Sequence, residues 1–388
     1  MNRRDAFPFL RNHPSLVYLD SAATAHKPDS VIEAISQFYT HDYGTVHRAA
    51  YRQSLHATEL YAEAREAARR FLNAASSDEI VFTRGTTDAI NLVAKTFPFE
   101  PGDEIVVSKL EHHSNLLPWQ MIAKEKGLTL RWIGLQEDGS MDLHLPLTSR
   151  TKLVAITHVS NVTGGITPLA EIVKQAKQVG AAVLVDGAQA AVHLPLDVQA
   201  LGVDFYAFSG HKCYGPTGIG VLYGKEERLA MMGPLQGGGG MVERVGLEES
   251  SYEMPPLRFE AGTPMSASAI GLKAALQFME QRDPAHELKL LDLATKALQE
   301  IEGLRILGPL SPKAPILSFS IEKIHPLDLA SFLDAKEIAI RSGHLCAQPL
   351  MRSFGLEHAA RASFALYNTE EDAFRFGEAV HNAVKILR

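Results

Sequence analysis

The sequence predicts an α/β protein: a large domain built on a mostly parallel sheet covered by helices, followed by a smaller α+β domain. Three observations carry that expectation. Short β-rich runs alternate with helix-length segments between about residues 79 and 225. Polar, Gly-containing motifs sit just after the carboxyl ends of those runs. Beyond a Gly-rich break, the pattern changes to helix and strand segments of a different order. Near-continuous apolar strands separated by crossover-length segments need both faces covered, which is the parallel-sheet pattern. Ligands of such sheets gather at the carboxyl ends of the strands.

The runs fall at 79–83, 104–107, 130–133, 153–156, 182–185 and 205–208. The stretch Gln236-Gly237-Gly238-Gly239-Gly240-Met241 then reads as a loop or lid, and Pro255-Pro256 marks a further irregular segment. Apolar periodicity from Ala267 to Met279 predicts a helix leading into the second unit. β-rich runs follow at 316–320 and 338–341. Thr369-Glu370-Glu371-Asp372 offers an N-cap with acidic first-turn residues for a closing helix. The expected division is a large domain over 16–260 and a small one over 261–388, joined by residues 1–15.

Composition narrows the class. A chain of 388 residues accommodates two domains, and 46% hydrophobic with 21% charged residues is ordinary globular content. A net charge of −7 gives no general attraction to nucleic acid or anionic membranes. No apolar run approaches a membrane span, and the start Met1-Asn2-Arg3-Arg4-Asp5-Ala6-Phe7 lacks a signal-peptide apolar region. Two cysteines, Cys213 and Cys346, make no disulfide framework and fit a reducing cytoplasm. The 16 histidines form no Cys-x-x-Cys or His-Glu-x-x-His pattern, so no metal site is expected.

Chemistry is concentrated at the run ends. Asp186, in Val185-Asp186-Gly187-Ala188-Gln189, is an acid at the end of a buried strand, costly to place there without a cationic partner. A protonated pyridine nitrogen is one such partner; capping a turn is the plainer alternative. The next run ends in Ser209-Gly210-His211-Lys212, where a buried lysine with a lowered pKa could condense with an aldehyde. Ser209 and His211 could contact a phosphate from the same turn. Arg84-Gly85-Thr86-Thr87 resembles a strand-to-helix anion cradle, or else an ordinary N-cap. Glu111-His112-His113-Ser114-Asn115 places an imidazole near the same mouth, able to stack on a flat ring and move protons. Asn161 follows another run and supplies an amide. In Arg341-Ser342-Gly343-His344-Leu345-Cys346-Ala347-Gln348-Pro349, a cysteine sits in a mobile-looking loop where Arg341 and His344 could favour a thiolate; a small buried hydrophobe is the plainer alternative. Cys213 reads as a small buried hydrophobe.

Together these blocks resemble the class V aminotransferase-fold family of pyridoxal-phosphate (PLP) enzymes of fold type I. Within it they are most similar to the SufS/CsdA-type (group II) cysteine desulfurases. The resemblance runs from Tyr18-Leu19-Asp20-Ser21-Ala22-Ala23 to Arg361-Ala362-Ser363. It implies that Lys212 carries the cofactor, Asp186 pairs with its ring nitrogen and Gln189 bonds its phenolic oxygen. Asn161 would edge the cofactor and substrate, and His112 would stack on the ring. Thr86, Thr87, Ser209 and His211 would hold the phosphate, with Thr263 reaching it from the other subunit of an obligate homodimer. Arg361 would grip the substrate carboxylate. Cys346 would receive sulfur from L-cysteine as a persulfide, releasing alanine, and pass it to a SufE- or SufU-like acceptor for iron–sulfur cluster assembly. Two departures stand out: Leu345 replaces the usual second histidine before the cysteine, and His47-Arg48-Ala49-Ala50-Tyr51 replaces a His-Arg-Gly-x-His pattern. The implied rivals are a selenocysteine lyase, another class V reaction such as transamination or kynureninase-type cleavage, and a non-catalytic scaffold of the same fold.

Overall fold

A computed structural model describes residues 3–47 and 49–388; Arg48 of the departing N-terminal block lies outside the described residues. The centre is a seven-stranded sheet. Its strands in chain order are β1 (Ile80–Thr83), β2 (Glu104–Ser108), β3 (Thr129–Ile133), β4 (Thr151–Thr157), β5 (Ala182–Asp186), β6 (Phe205–Ser209) and β7 (Gly220–Gly224). Across the sheet the order is β1-β7-β6-β5-β4-β2-β3, and only β7 runs against the rest. The six expected runs are β1 to β6 within two residues at each end. β7 was not among them; its Gly-flanked sequence hides it, and it closes as an antiparallel partner between β1 and β6.

Both sheet faces are buried because successive strand residues point to opposite sides. In β1, Ile80 and Phe82 join one core while Val81 joins the other. In β5, Val183 and Val185 face the first core, Ala182 and Leu184 the second. The first face is covered by the long helix Arg52–Leu72 and the helix Ser266–Met279, which pack on each other. The second is covered by the helices Thr86–Thr96 and Leu117–Lys126. The helix expected from Ala267 starts one residue earlier and belongs physically to the layers of the large sheet.

The C-terminal unit is a four-stranded antiparallel sheet of β8 (Leu304–Ile306), β9 (Ile316–Ile321), β10 (Arg341–Gly343) and β11 (Ala359–Ser363), in the order β8-β9-β11-β10. Helices Pro284–Gln299 and Glu370–Leu387 share its separate core. The closing helix has the expected cap: Thr369 Oγ1 accepts from Asp372 N at 3.2 Å, and Asp372 Oδ2 accepts from Thr369 N at 3.1 Å. The run at 338–341 divides. Ile338–Ala339 pairs in parallel with Val17–Tyr18, whereas Arg341 begins β10. Val17 and Leu19 therefore belong to this second core, and a bridge from Asp20 to Ser363 brings the early chain against β11.

The topology puts the carboxyl ends of β1, β2, β4, β5 and β6 on one edge, facing the small sheet. The turn after β5 is tightly held there. A Cβ on Gly187 would stand 2.0 Å from Tyr206 Cε1, a ring with no exposure. Gly187→Ala is therefore expected to destabilise the protein by about 1–3 kcal/mol through overpacking. A lowered urea midpoint with an unchanged slope checks this.

Candidate active site

The loops leaving that edge carry their side chains into one cavity of about 410 Å³, and residues of the small unit form its opposite wall. Asp186, the last residue of β5, is only 5% exposed and accepts one hydrogen bond, from Ala188 N to Oδ1 at 2.9 Å. Burial pushes its carboxyl up, while Lys212 opposes the shift. Lys212 lies in the turn after the neighbouring strand β6 and lines the same cavity. Its ammonium is lowered chiefly by burial and further by Arg361, against the pull of Asp186. A carboxylate that resists ionisation and an amine inclined to lose its proton thus face one space, the pattern of a site built for chemistry rather than for a structural ion pair.

The residues expected to form an anion cradle come together between the ends of β1 and β6. Ser209 Oγ sits 2.8 Å from both Thr86 N and Thr86 Oγ1, at the start of the helix Thr86–Thr96. Gly85, with φ at +150°, lets Ser209 approach: a Cβ there would be 3.2 Å from Ser209 Oγ. Thr87 Oγ1 is 2.7 Å from Ser114 Oγ, and His211 Nδ1 is 3.1 Å from Thr24 Oγ1. A neighbouring opening shares Thr86, Thr87, Ser209 and His211, so this end of the cavity is accessible from a second side.

His112 is oriented by its own turn. Its Nδ1 accepts from Ser114 N at 3.1 Å, so in the neutral ring the proton is on Nε2. Burial, then Lys212, lowers its pKa to about 3. Under the turn, Glu111 accepts from Thr157 N at 3.0 Å and Asn115 Nδ2 at 2.6 Å and is paired with Ser108. Burial pushes the Glu111 carboxyl up to about 8, against those hydrogen bonds.

Gln189 donates from Nε2 to Ala22 O at 2.7 Å, and its Oε1 is buried with no partner among the described residues. Asn161 Nδ2 donates to Leu345 O at 2.8 Å, and the Asn161 carbonyl accepts from Arg361 at 2.9 Å. Arg361, on β11, is 3% exposed; it also donates to Asp20 Oδ1 at 2.9 Å and keeps an unpartnered Nε. Arg341 approaches the other oxygen of Asp20 at 3.6 Å. Asp20 was quoted in the sequence without a role. The signal was available, since an acid follows the Val17–Tyr18 strand as Asp186 ends β5.

Cys346 follows β10 and lines the cavity. Its loop is more firmly fastened than its bracketing Gly343 and Pro349 suggest. His113 N donates to Cys346 O at 2.8 Å, Gln348 N donates to His113 Nε2 at 3.3 Å, and Cys346 N donates to His344 Nδ1 at 3.0 Å. Leu345, at the departing position, is 6% exposed and packs in the main core, so an apolar residue suits it. Leu345 and Cys346 both have left-handed backbone, with φ of +52° and +54°, a conformation costly for side chains of this kind. Cys213 is fully buried and its thiol is pushed up to about 12. All the sequence-derived candidates named above line this cavity except Thr263, which is exposed in the loop before the helix Ser266–Met279.

The aminotransferase class-V family model matches residues 17–376. The chain belongs to the class-V aminotransferase family. A relative from Dickeya dadantii named cysteine desulfurase is 48% identical, over 99% of this chain and 96% of its own. The crystal structure of the cysteine desulfurase CsdA (S-sulfonic acid) from Escherichia coli superposes with a TM-score of 0.93 at 43% identity, covering 99% of this chain and 98% of the other. A mutant of C-DES with glycine covalently linked to the PLP cofactor superposes with a TM-score of 0.83 at 25% identity, covering 97% and 98%. The class-V fold thus accounts for the large sheet, the small unit and the cavity between them.

Four part-buried or buried histidines around this architecture predict acid sensitivity. Burial holds His26, His158 and His211 at about 4 and His112 at about 3, below the ordinary 6.5. At these four groups the unfolded chain therefore binds more protons than the folded one below pH 6.5; Glu111 and Asp186, both pushed up by burial, work in the opposite sense and offset part of it. Stability from these groups is full above 6.5 and is lost as pH falls toward 4. The urea midpoint is expected to fall between about pH 7 and about pH 5. A midpoint constant over that interval contradicts it.

Proposed function

We infer that the chain is a PLP-dependent cysteine desulfurase that converts L-cysteine to L-alanine. The observation that carries this reading is the meeting of Lys212, Asp186, Arg361 and Cys346 around one cavity. The residues fit the cofactor: a lysine inclined toward the neutral amine, a buried strand-end acid, an anion cradle at a helix start and an unpartnered Gln189 Oε1. Lys212 would hold the cofactor's aldehyde carbon, Asp186 its ring nitrogen, Gln189 its phenolic oxygen, and Thr86, Thr87, Ser209 and His211 its phosphate. His112 would lie against its ring and Asn161 at its edge. When bound, pyridoxal phosphate supplies an electrophilic aldehyde for the substrate amine and an electron sink for bond breaking at the α-carbon.

The chain's own groups do the rest. Arg361 binds the substrate carboxylate, exchanging one carboxylate, that of Asp20, for another of the same charge. Lys212 Nζ removes the α-proton, a task its lowered pKa suits. Cys346 attacks the substrate sulfur as a thiolate. The new S–S bond forms as the C–S bond breaks, and that electron pair stays with carbon, which becomes the alanine methyl after protonation. Cysteine and the Cys346 thiol together yield alanine and a Cys346 persulfide, with no external oxidant.

The wider setting is part of the same proposal. The chain would divide into a cofactor-binding unit that keeps the helix Ser266–Met279, later than the expected boundary near 260, and a unit that carries Cys346. It would act as a homodimer, with Thr263 completing the phosphate site of the partner through the opening beside Thr86, an arrangement supported by the exposure of Thr263 away from its own cavity. The persulfide would pass to a SufE- or SufU-like acceptor for iron–sulfur cluster assembly in the cytoplasm. Among the described residues, no helix is long and apolar enough to cross a membrane.

Cys346→Ala is expected to keep the cofactor absorption band while making little alanine from cysteine. Wild-type enzyme exposed briefly to cysteine without reductant should gain one sulfur on Cys346 by mass spectrometry. Undiminished alanine release by the variant sinks the role of this cysteine. Arg361→Lys loses the planar fork and should lower kcat/KM roughly 10- to 100-fold, the loss of one or two charge-assisted hydrogen bonds. Steady-state kinetics at varied cysteine checks it.

A further inference from the structure

His113 and His344 take no step in the proposed reaction, yet they flank its nucleophile. One nitrogen of each and the Sγ of Cys346 lie within 4.8 Å of one another. The two rings are 5.5 Å apart between centroids and inclined by only 35°. Their segments come from opposite units of the fold, one after β2 and one after β10, and are pinned together by the His113 N to Cys346 O hydrogen bond at 2.8 Å. The convergence is thus fixed by backbone, not left to side-chain encounter. It escaped the motif search because its three members are spread over more than two hundred residues and match no short spacing.

We propose that His113, His344 and Cys346 form a capture site for a borderline-soft divalent cation, Zn²⁺ above all, which reversibly withdraws the nucleophile. Two imidazoles and a thiolate are the donor set that zinc takes, at about 2.0–2.1 Å to nitrogen and 2.3 Å to sulfur. Magnesium and calcium, which require oxygen donors, are excluded by the same chemistry. Those bond lengths place tetrahedral donors roughly 3.3–3.7 Å apart, so the trio closes slightly on the metal. His344 Nδ1 and His113 Nε2 now accept from Cys346 N and Gln348 N. Capture therefore uses the opposite nitrogens with a change of tautomer, or replaces these two bonds. Either way it reshapes the turn that aims Cys346. Binding is a simple exchange without redox change: the Cys346 thiol proton leaves as the metal–sulfur bond forms. The fourth position stays open to water or to an incoming thiolate.

The test uses the reduced, metal-stripped holoenzyme titrated with Co²⁺, then with Zn²⁺. Ligand-field bands of cobalt and a thiolate-to-metal charge-transfer band report the site, and displacement by zinc reports affinity. One cobalt per chain is expected, with the cofactor band retained. His113→Ala and His344→Ala, checked for retained cofactor absorption, should each weaken zinc binding at least about tenfold, since even outer partners of metal sites contribute that much. Cys346→Ser should abolish the charge-transfer band. In the wild type, alanine formation should fall in step with zinc occupancy and return with chelator. Absence of cobalt binding, or binding equally strong in both histidine variants, overturns the proposal. Because occupancy is read spectroscopically, its failure is distinguishable from failure of the desulfurase reading, which the sulfur adduct on Cys346 tests separately.

Discussion

The structure is organised around a charge that is expensive to keep. Asp186 is held at the end of a central strand with a single backbone hydrogen bond, and the counter-charge available to it inside the protein is Lys212 on the adjoining strand. Burying either charge alone costs several kcal/mol, and their attraction across the cavity offsets part of that without a direct ion pair. The rest of the cavity adapts to this pair. Arg361 adds a third buried charge, which Asp20 balances from the far wall. His112, close to Lys212 and Arg361, is kept neutral by both and by burial. Glu111, beneath it, feels Asp186 and is pushed toward its protonated form. Moving any one charge changes the protonation preference of the others, so the cavity acts as one electrostatic unit.

Arg361 shows how such a unit stays ready for an anionic substrate. A buried guanidinium without a carboxylate partner is costly, and Asp20 supplies one from a segment that joins the small sheet through a bridge to Ser363. In the proposed reaction a substrate carboxylate would exchange like for like, while the Asn161 carbonyl holds the same side chain. The cysteine loop is tied into this arrangement from two sides, by Asn161 to Leu345 O and by His113 to Cys346 O. The carbonyls held by these two anchors are those of the two left-handed residues, Leu345 and Cys346, so the strained turn is fastened at both of its members.

Much of this was legible in the residues. Buried parallel strands announce themselves as apolar runs, and β1 to β6 fall within two residues of those runs at each end. The closing helix was marked by Thr369 and Asp372, whose reciprocal bonds are local and so encoded locally. What was not legible depends on contacts far apart in sequence. β7 begins and ends in glycine, which masks its apolar centre, and it is completed by pairing with β1 and β6 on its two sides. The run at 338–341 divides because Val17–Tyr18 claims its first half. The strand-end rule found Asp186 and Lys212 but, applied only to the central runs, passed over Asp20. The fastening of the Cys346 loop depends on His113, which precedes it by over two hundred residues, and no local pattern encodes that.

That long reach has a consequence for how the protein comes into being. One wall of the cavity is complete once β7 has joined β1 to β6, but the opposite wall needs Cys346 and Arg361, and Asp20 finds its partner only when β11 exists. During synthesis the early strands can settle as a unit while the first segment waits for the last quarter of the chain. Until then the cleft lacks Arg361 and Cys346, the proposed substrate grip and nucleophile. The cavity is therefore completed late in assembly, and a chain that ends before β11 has only one of its walls however well the large sheet has folded.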